Sequence, residues 1–303
     1  MISIIVCSAT GKPNTYFSES IEKTIGTKYE LIVIDNSTGK YSICQAYNIG
    51  LDQARFDYVV FCHEDIEYLT PDWGSKLIAH LNTEHVGICG IAGGRLATHV
   101  PEEAWKGYDV STCRWQGDGY NQNTLRFHKR PDDYPLTRRS AVCLDGSFLA
   151  MRADAARQVR FDNNLPGFHA YDIDICLNAC SQGFINYVIY DIQIIHYSRG
   201  SITRTFYESI ARVFDKWEEH LPLYANGLEG NLKRIVKKQE LHRLHSLCKQ
   251  WVRVGYSNDE IIAMLQKYRS YDLKPLNQIQ IFLTRIRLNL ILINSKLRHK
   301  MLN

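Results

Sequence analysis

The 303-residue sequence contains no CxxC pair, no internal repeat and no segment of low complexity. Its nine cysteines are scattered singly, and an odd number without paired spacing argues against both a disulfide framework and a zinc site. The sequence therefore predicts reduced thiols and a cytoplasmic protein. Hydrophobic residues make up 45% and charged residues 22% of the chain, which is the balance of an ordinary globular protein.

The first residues lack the features of a targeting segment. MISIIVCSAT contains no basic residue. Its apolar core of about four residues is too short for a signal peptide or a membrane span. We expect this segment to form the first strand of the fold.

Positive charge is scarce in the front of the chain and abundant at its end. Residues 1–203 contain 18 basic and 23 acidic side chains, a net charge of −5, whereas residues 204–303 contain 18 basic and 9 acidic side chains, a net charge of +9. A basic tail can face anionic lipid, nucleic acid or an acidic protein. It can equally be a helical subdomain with a basic solvent face, and composition leaves these alternatives open.

Apolar runs of strand character alternate with segments of helical spacing over the first hundred residues. The periodicity predicts strands at 2–7, 30–37, 58–62 and 86–94, and helices at 15–25, 43–54 and 72–81. This alternation predicts an α/β domain with a mainly parallel central sheet. In such sheets ligands bind beyond the carboxyl ends of the strands.

The pattern changes twice further along the chain. Residues 105–140 are rich in glycine, asparagine, aromatic residues and arginine, and predict irregular hairpins that hold an acceptor or form an ordered surface excursion. Residues 141–159 return to strand, turn and helix, and 187–201 have strand character. From 204 onward the spacing is helical, which places a domain boundary between about 200 and 230.

Polar side chains follow the predicted strands. The stretch VVFCHEDIEY places His63, Glu64 and Asp65 directly after the third strand, and Asp35 ends the second. Charge at the end of an apolar run is costly to bury unless something pairs with it. Because the carboxyl ends of parallel strands meet at one edge of a sheet, these residues are predicted to belong to a site.

Three later residues extend this set. Asp172 and Asp174 start a predicted helix, and His196 ends a predicted strand. Taken singly, each has an ordinary explanation, because strand-end acids form turns and acids at a helix start interact with the helix dipole. Their order along the chain is more specific than any one of them.

In this order the motifs resemble glycosyltransferase family 2, over roughly residues 1–205. ISIIVCSAT resembles the opening strand that contacts the nucleotide, ELIVIDNST the family's vDdgS stretch, and AYNIGLDQARFDYVVFCHEDIE the segment that ends in its DxD motif. DGSFLAMR, FDNNLPGFHAYDIDICLNACSQGF and IIHYSRGS resemble the later segments, which carry the catalytic acid and the closing lid. His63 replaces the first acid of DxD, so the similarity is to a bacterial subset with histidine at that position.

The resemblance implies a GT-A type nucleotide-diphospho-sugar transferase fold. It implies a catalytic domain at 1–205 and a helical, basic extension at 206–303. By position it implies metal ligands and a base that takes a proton from the acceptor hydroxyl. The implied residues are nucleotide contacts at Ser8, Asp35, Asn48, His63, Glu64 and Arg199, metal ligands Asp65 and His196, an acceptor contact at Asp145, and the base Asp172 with Asp174 as its alternate.

The predicted function is a metal-assisted, inverting glycosyltransferase of the hexosyltransferase type. Mn²⁺ or Mg²⁺ would neutralise the leaving diphosphate of a UDP- or GDP-sugar. The acceptor would be a saccharide or a lipid-linked saccharide in surface polysaccharide assembly, with no nucleic acid partner. Two alternatives stay open: a GT-A-like binding protein without turnover, for which the His63 replacement is the warning, and a sugar-phosphate nucleotidyltransferase. The second is disfavoured because CSATGKPN has one glycine where those enzymes usually have a glycine-rich loop.

The C-terminal segment has a separate pattern. Apolar residues recur from 279 to 301 at helical spacing, with basic residues at 285, 287, 296, 298 and 300 among them. This pattern predicts an amphipathic basic helix. Such a helix would place the protein peripherally at the inner face of the cell membrane, join two subunits in a homo-oligomer, or pack on the catalytic domain.

Overall fold

The computed structural model describes residues 1–119, 121–130, 137–198, 200, 202–269, 274 and 276–301, without the side chains of 122, 130 and 294–301. The chain forms two compact units. The first comprises Met1–Ala97, Glu103–Gly200 and Leu223–Leu228, and the second comprises Thr98–Glu102, Ser201–Pro222 and Glu229–Asn303.

The first unit contains strands and helices in alternation. Its strands are β1 (Ile2–Ser8), β2 (Tyr29–Asp35), β3 (Tyr58–Cys62), β4 (Ile66–Tyr68), β5 (Val86–Gly90), β6 (Ala92–Gly94), β7 (Leu96–Ala97), β8 (Ser111–Asp118), β9 (Asn121–Arg130), β10 (Arg138–Ala141), β11 (Cys143–Leu144), β12 (Phe148–Arg152), β13 (Ile185–Ile189), β14 (Ile194–His196) and β15 (Leu223–Tyr224). Its helices are α1 (Thr15–Thr24), α2 (Ile43–Gln53), α3 (Trp73–Leu81), α4 (Ala153–Val159) and α5 (Tyr171–Ser181).

A seven-stranded sheet forms the centre of this unit, in the order β10-β13-β5-β12-β3-β1-β2. β1 pairs in parallel with β2 and β3, and β13 pairs in parallel with β5. β12 lies antiparallel between β3 and β5, and β10 is antiparallel to β13. Five of the seven strands therefore point the same way, as the alternation of strands and helices predicts.

Four strands of a second sheet, β4, β6, β11 and β14, each follow a strand of the central sheet along the chain. This second sheet has the order β11-β6-β8-β14-β4, with β9 paired to β8. Residues 105–140, predicted as irregular hairpins, supply the long β8–β9 hairpin. The single strand predicted at 86–94 is divided at Ile91 into β5 and β6, which belong to different sheets. The glycines in this stretch allow that break, since Gly93 lies so close to the Cys143 carbonyl that a Cβ would not fit.

Apolar residues of the strands pack against the helices. The core includes Ile4, Val60 and Phe148 from the central sheet, and Tyr68 stacks on Trp73 with ring centroids 4.3 Å apart. α2 begins at a capping box in which the Ser42 hydroxyl accepts from the Gln45 amide and the Gln45 side chain accepts from the Ser42 amide. From α2 the Tyr47 hydroxyl donates to the Cys62 carbonyl at 3.2 Å, which connects this helix to the carboxyl end of β3.

The second unit is helical in the residues described. It contains α6 (Arg204–Lys216), a 3₁₀ turn at Glu218–His220, α7 (Leu232–Arg253), α8 (Asn258–Arg269) and α9 (Gln278–Met301). A capping box begins α8, in which the Ser257 amide donates to the Glu260 carboxylate and the Glu260 amide donates to the Ser257 hydroxyl. The exception to the helical pattern after 204 is β15, which pairs with β7 in the first unit.

Two further sequence predictions concern the whole chain. All nine cysteines are free, and most are buried. Within the described part of the chain, no helix has the length and apolar character needed to cross a bilayer.

Candidate active site

Two histidines and an aspartate converge where β3 and β14 end. The Nδ1 atom of His63 lies 3.4 Å from Nε2 of His196. Oδ1 of Asp65 lies 3.5 Å from that Nε2 atom and 3.7 Å from His63 Nδ1. These separations are too long for charge-assisted hydrogen bonds. The two to His196 match the roughly 3–3.5 Å between atoms that share one metal ion at ~2.1 Å, and the His63–Asp65 separation is slightly longer.

The Asp65 carboxylate lacks a partner that its burial requires. Its Oδ1 atom is buried and accepts no hydrogen bond within the described part of the chain. Burial alone would raise the pKa of Asp65, but contact with His196 and the nearby His63 outweigh burial and lower it. An ionised, unsatisfied oxygen facing two imidazole nitrogens is the donor set for a divalent cation, and the three ligand atoms lie within 4.8 Å of one another.

Tyr171 determines how His63 faces this cluster. The Tyr171 hydroxyl donates to the Gly146 carbonyl at 3.0 Å and lies 2.8 Å from Nε2 of His63. Because a hydroxyl has one proton, this hydroxyl accepts from His63 Nε2–H, which leaves a lone pair on Nδ1 towards Asp65 and His196. Burial lowers the pKa of His63, and His196 lowers it further, so that its imidazole is kept neutral and able to bind a metal.

Asp172 contacts the amide of Gly146, the residue whose carbonyl accepts from Tyr171. Its Oδ2 accepts from the Gly146 amide at 3.0 Å, and its Oδ1 accepts from the Ile173 amide at 2.9 Å. Burial raises the pKa of Asp172 and the charge of Asp145 raises it further, to about 7. A Cβ at Gly146 would lie 2.2 Å from the Tyr171 hydroxyl, so only glycine allows the backbone N–H and carbonyl of this one residue to hold both side chains.

Asp145 is occupied by other groups. Its Oδ1 lies 2.9 Å from Nη1 of the largely buried Arg114, and accepts from the Ser147 amide at 3.0 Å and the Ser147 hydroxyl at 2.5 Å. Burial alone would raise the pKa of Asp145, but the Arg114 guanidinium holds it well below its usual range. The predicted acceptor contact is therefore a permanently charged carboxylate already paired with arginine.

Ser8, Glu64 and Asp35 line the edge formed by β1 and β2. The Ser8 hydroxyl donates to Oε2 of Glu64 at 2.6 Å, and the Ala9 amide donates to its Oε1 at 2.9 Å. Ser8 is in register with Asp35, whose exposed carboxylate accepts from the Ser37 amide. That amide and the Ser37 hydroxyl lower the pKa of Asp35. The Ser8–Glu64 contact joins this edge to the loop that carries His63 and Asp65.

The Asn48 side chain is hydrogen-bonded to the segment before α5. Its amide nitrogen donates to the Phe161 carbonyl and to Asn163 Oδ1, both at 2.8 Å, and its Oδ1 accepts from the Phe161 amide. The side chain is buried. Both amide protons are used in fixing the segment before α5, so Asn48 positions that segment.

The remaining predicted residues are Asp174 and Arg199. Asp174 is buried on α5, about 200° around the helix from Asp172. Arg199 lies outside the described residues. Sequence reasoning missed Tyr171, Arg114 and Gln116. The side-chain amide of Gln116 donates to the carbonyls of His196 and Ser198. Nothing in the sequence around Arg114 or Gln116 marks them, although Tyr171 directly precedes the predicted base.

Comparison with known proteins places this geometry in a family. Residues 3–216 match the model of a family described as a glycosyltransferase-like family. A curated relative, the ATP synthase subunits region ORF 6 protein of Fuscovulum blasticum, is 24% identical over 202 residues, which cover 63% of this chain and 73% of that protein.

Solved structures resemble this one at low sequence identity. TarS 1–349 of S. aureus in complex with UDP-GlcNAc superimposes with a TM-score of 0.50 and 16% identity, over 88% of this chain and 80% of that chain. GalNAc-T7 with UDP, GalNAc and Mn²⁺ gives a TM-score of 0.48 and 10% identity over 80% of this chain, which spans about half, 54%, of that chain. Since the family model covers most of the sequence, the chain belongs to the glycosyltransferase-like family and has the GT-A fold, followed by C-terminal helices.

Proposed function

We propose that the protein transfers a sugar from a nucleotide-diphosphate donor to an acceptor hydroxyl, with inversion at the anomeric carbon. The observation that carries this proposal is the His63–Asp65–His196 cluster, with its unsatisfied Asp65 oxygen, held through Tyr171 and Gly146 next to the carboxylate of Asp172. We assign this reaction to a catalytic domain at residues 1–205, with 206–303 as an extension.

His63, Asp65 and His196 would hold a divalent cation. The orphaned Asp65 Oδ1 and the Nδ1 lone pair of His63 fit such an ion, and two imidazole ligands favour Mn²⁺ over Mg²⁺. When bound, the ion would stabilise the charge of the leaving diphosphate. His63 thus becomes a metal ligand in this proposal, in addition to its predicted position beside the nucleotide.

Asp172 would act as the general base. The acceptor hydroxyl loses its proton to an oxygen of the Asp172 carboxylate as the hydroxyl oxygen attacks the anomeric carbon and the bond to the diphosphate breaks. A pKa of about 7 suits this role, because a base is most effective when its pKa lies close to the working pH. Asp174 stays the alternate base.

Ser8, Asp35 and Glu64 would contact the nucleotide. Asp35 is exposed and ionised at the carboxyl end of β2, where a base could donate to it, and Glu64 connects this edge to the cation ligands. TarS of S. aureus, which shares the fold, binds UDP-GlcNAc. A uridine diphosphate sugar is therefore the first donor to test, and a guanosine diphosphate sugar the second.

The acceptor and the setting are also part of the proposal. We assign a saccharide or lipid-linked acceptor in bacterial surface polysaccharide assembly, and a cytoplasmic location. The nine free thiols support a reducing compartment. Arg199 keeps its predicted role as a phosphate contact.

Calorimetry with UDP tests the cation-binding site directly. We expect UDP to bind more tightly with Mn²⁺ than with EDTA, and Asp65→Ala to remove that difference. Asp154→Ala, which changes an exposed acid on α4 outside the site, should bind UDP as the wild type does. UDP affinity that is the same with Mn²⁺ and with EDTA would exclude the proposed cation.

Turnover separates an enzyme from a binding protein. We expect slow hydrolysis of the UDP-sugar in the presence of Mn²⁺, because water can replace the acceptor. Metal-dependent UDP binding without hydrolysis or transfer, tested over a panel of UDP- and GDP-sugars, would instead favour the GT-A-like binding protein.

A further inference from the structure

Helix α9 has apolar side chains on two opposite faces. Leu288 is 2% exposed, and Ile281 and Ile291 on the same side are half-buried, so this inner face packs within the second unit. The opposite face carries apolar residues that remain exposed. They are Ile279, Phe282, Leu283, Ile286, Leu290 and Ile293, which we call the outer stripe.

The outer stripe is continuous along the helix. At 100° per residue its six members lie within a sector of about 100°, and they extend over about 21 Å of helix. Ile279 is 71% exposed and Phe282 is 62% exposed. A monomeric soluble protein rarely exposes such a row, so the stripe marks a surface that something covers.

Charge on α9 is of one sign. Residues 278–301 contain five lysines and arginines and no aspartate or glutamate. Arg287 lies on one flank of the stripe and Arg285 on the other, where Arg285 pairs with Asp259 of α8 at 2.9 Å. The partner that this helix fits therefore presents an apolar layer below a layer of negative charge.

A groove beside the stripe has the same chemistry. α7, α8 and α9 enclose a volume of about 680 Å³, whose lining includes Leu244, Leu265 and Leu283. The charged residues in the lining are Lys249, Arg269 and Arg287, and no acid is among the described residues that line it. A lipid offers both parts that this groove fits, an acyl chain and a phosphate.

We propose that the outer stripe of α9 docks the protein on an anionic membrane surface, with the helix lying in the plane of the interface. The apolar residues would enter the boundary between headgroups and acyl chains, while Arg287 meets lipid phosphates. A second copy of this chain is the poorer occupant, because two such helices would bring cations together without acids between them.

Vesicle flotation of the full-length chain tests the proposal. Wild-type protein should float with vesicles that contain phosphatidylglycerol, much less with phosphatidylcholine alone, and less at high salt. The triple substitution Ile279→Gln, Phe282→Gln and Ile286→Gln should weaken binding at least ~10-fold, because it removes the apolar contact and keeps helix propensity. Arg287→Gln should weaken it about fivefold.

Leu292→Gln is the matched control. Leu292 is an exposed apolar residue of the same helix, about 130° away from the centre of the stripe, and its substitution should leave flotation unchanged. Circular dichroism and UDP binding of each variant report folding separately from docking. The proposal is overturned if the triple variant floats like the wild type, if neutral and anionic vesicles bind equally, or if light scattering shows a wild-type dimer that the triple variant converts to a monomer.

Discussion

The carboxylates on the two sides of Gly146 are equally buried but oppositely perturbed. Asp145 and Asp172 are 5% and 7% exposed. Asp145 has the Arg114 guanidinium against it, and its pKa is held well below the usual range, whereas the pKa of Asp172 is raised by burial and by the charge of Asp145 to about 7. The contrast teaches that the Arg114 guanidinium, and not burial, decides which acid keeps its charge and which can exchange a proton near neutrality.

Removing the acid that can exchange its proton should have the largest effect. Asp172→Asn preserves the shape and removes the base, so kcat should fall by ~10²–10⁴ while UDP binding survives. Steady-state kinetics with a UDP-sugar and calorimetry with UDP measure the two effects separately. Asp174→Asn is the control on the same helix. If that variant is inactive and Asp172→Asn is active, the base is Asp174.

Removing the Arg114 guanidinium should reduce the difference between the pKa values of Asp145 and Asp172. Arg114→Met leaves the Asp145 charge buried without compensation, and we expect it to lower the free energy of unfolding by ~3–5 kcal/mol. Urea denaturation measures this loss. The double substitution Arg114→Met and Asp145→Asn should recover part of it, because no buried charge is left unpaired. A double variant no more stable than Arg114→Met would show that Arg114 acts by packing.

The pH dependence of stability should come from Asp172. Its pKa of about 7 in the folded protein lies above the ~4 of an unfolded chain, so the folded state binds more protons between these values. In the metal-free protein Asp172 should therefore contribute a fall of up to ~4 kcal/mol in the free energy of unfolding as the pH rises from about 4 to about 7, partly offset by His63, whose lowered pKa acts in the opposite direction.

Asp172→Asn should abolish this fall, and the comparison rests on the slope of stability against pH, because the Asn NH2 group cannot accept from both the Gly146 and the Ile173 amides. Urea denaturation of both proteins across this range gives the comparison. Parallel pH profiles of the two proteins would show that Asp172 does not titrate in this range. Such a result would remove the electrostatic contrast with Asp145.

The smallest effect should come from the hydroxyl that orients His63. Tyr171→Phe removes the group that fixes the Nε2–H tautomer, while the ring contact with Tyr47 remains. We expect Mn²⁺ affinity to weaken ~10–100-fold, as for other groups that orient a metal ligand. Electron paramagnetic resonance of free Mn²⁺ measures this without catalysis. An unchanged Mn²⁺ affinity would show that the Tyr171 hydroxyl does not orient His63 for metal binding.

Much of the α/β framework follows from local pattern. The predicted helices at 15–25 and 43–54 correspond to α1 and α2, and the third strand at 58–62 is β3. These elements have one apolar face or a continuous apolar run, and capping residues such as Ser42 mark their ends. Local pattern does not reveal the antiparallel insertion of β12 between β3 and β5, since its pairing depends on residues about 90 positions away.

The candidate site also contains residues that the sequence identifies and residues that only the structure identifies. His63, Asp65 and His196 can be named from the sequence because each follows or ends an apolar strand, and they meet in the structure. Arg114 cannot be named, because its importance arises from a contact with Asp145, 31 residues later, inside a hairpin that has no distinctive spacing. Asn48 can be named from its motif as a nucleotide contact, whereas its hydrogen bonds to Phe161 become visible only in the structure.

The free cysteines give the molecule built-in reporters of opening. Burial raises the pKa of the Cys62 and Cys89 thiols in the central sheet to about 12 and that of Cys248 on α7 to about 11. A thiol that is both shielded and protonated reacts with an alkylating reagent only after its surroundings open. Alkylation followed by mass spectrometry would therefore time the opening of the first unit at Cys62 and Cys89, whereas Cys248, which is half-buried and lines the groove of the second unit, can react without such opening.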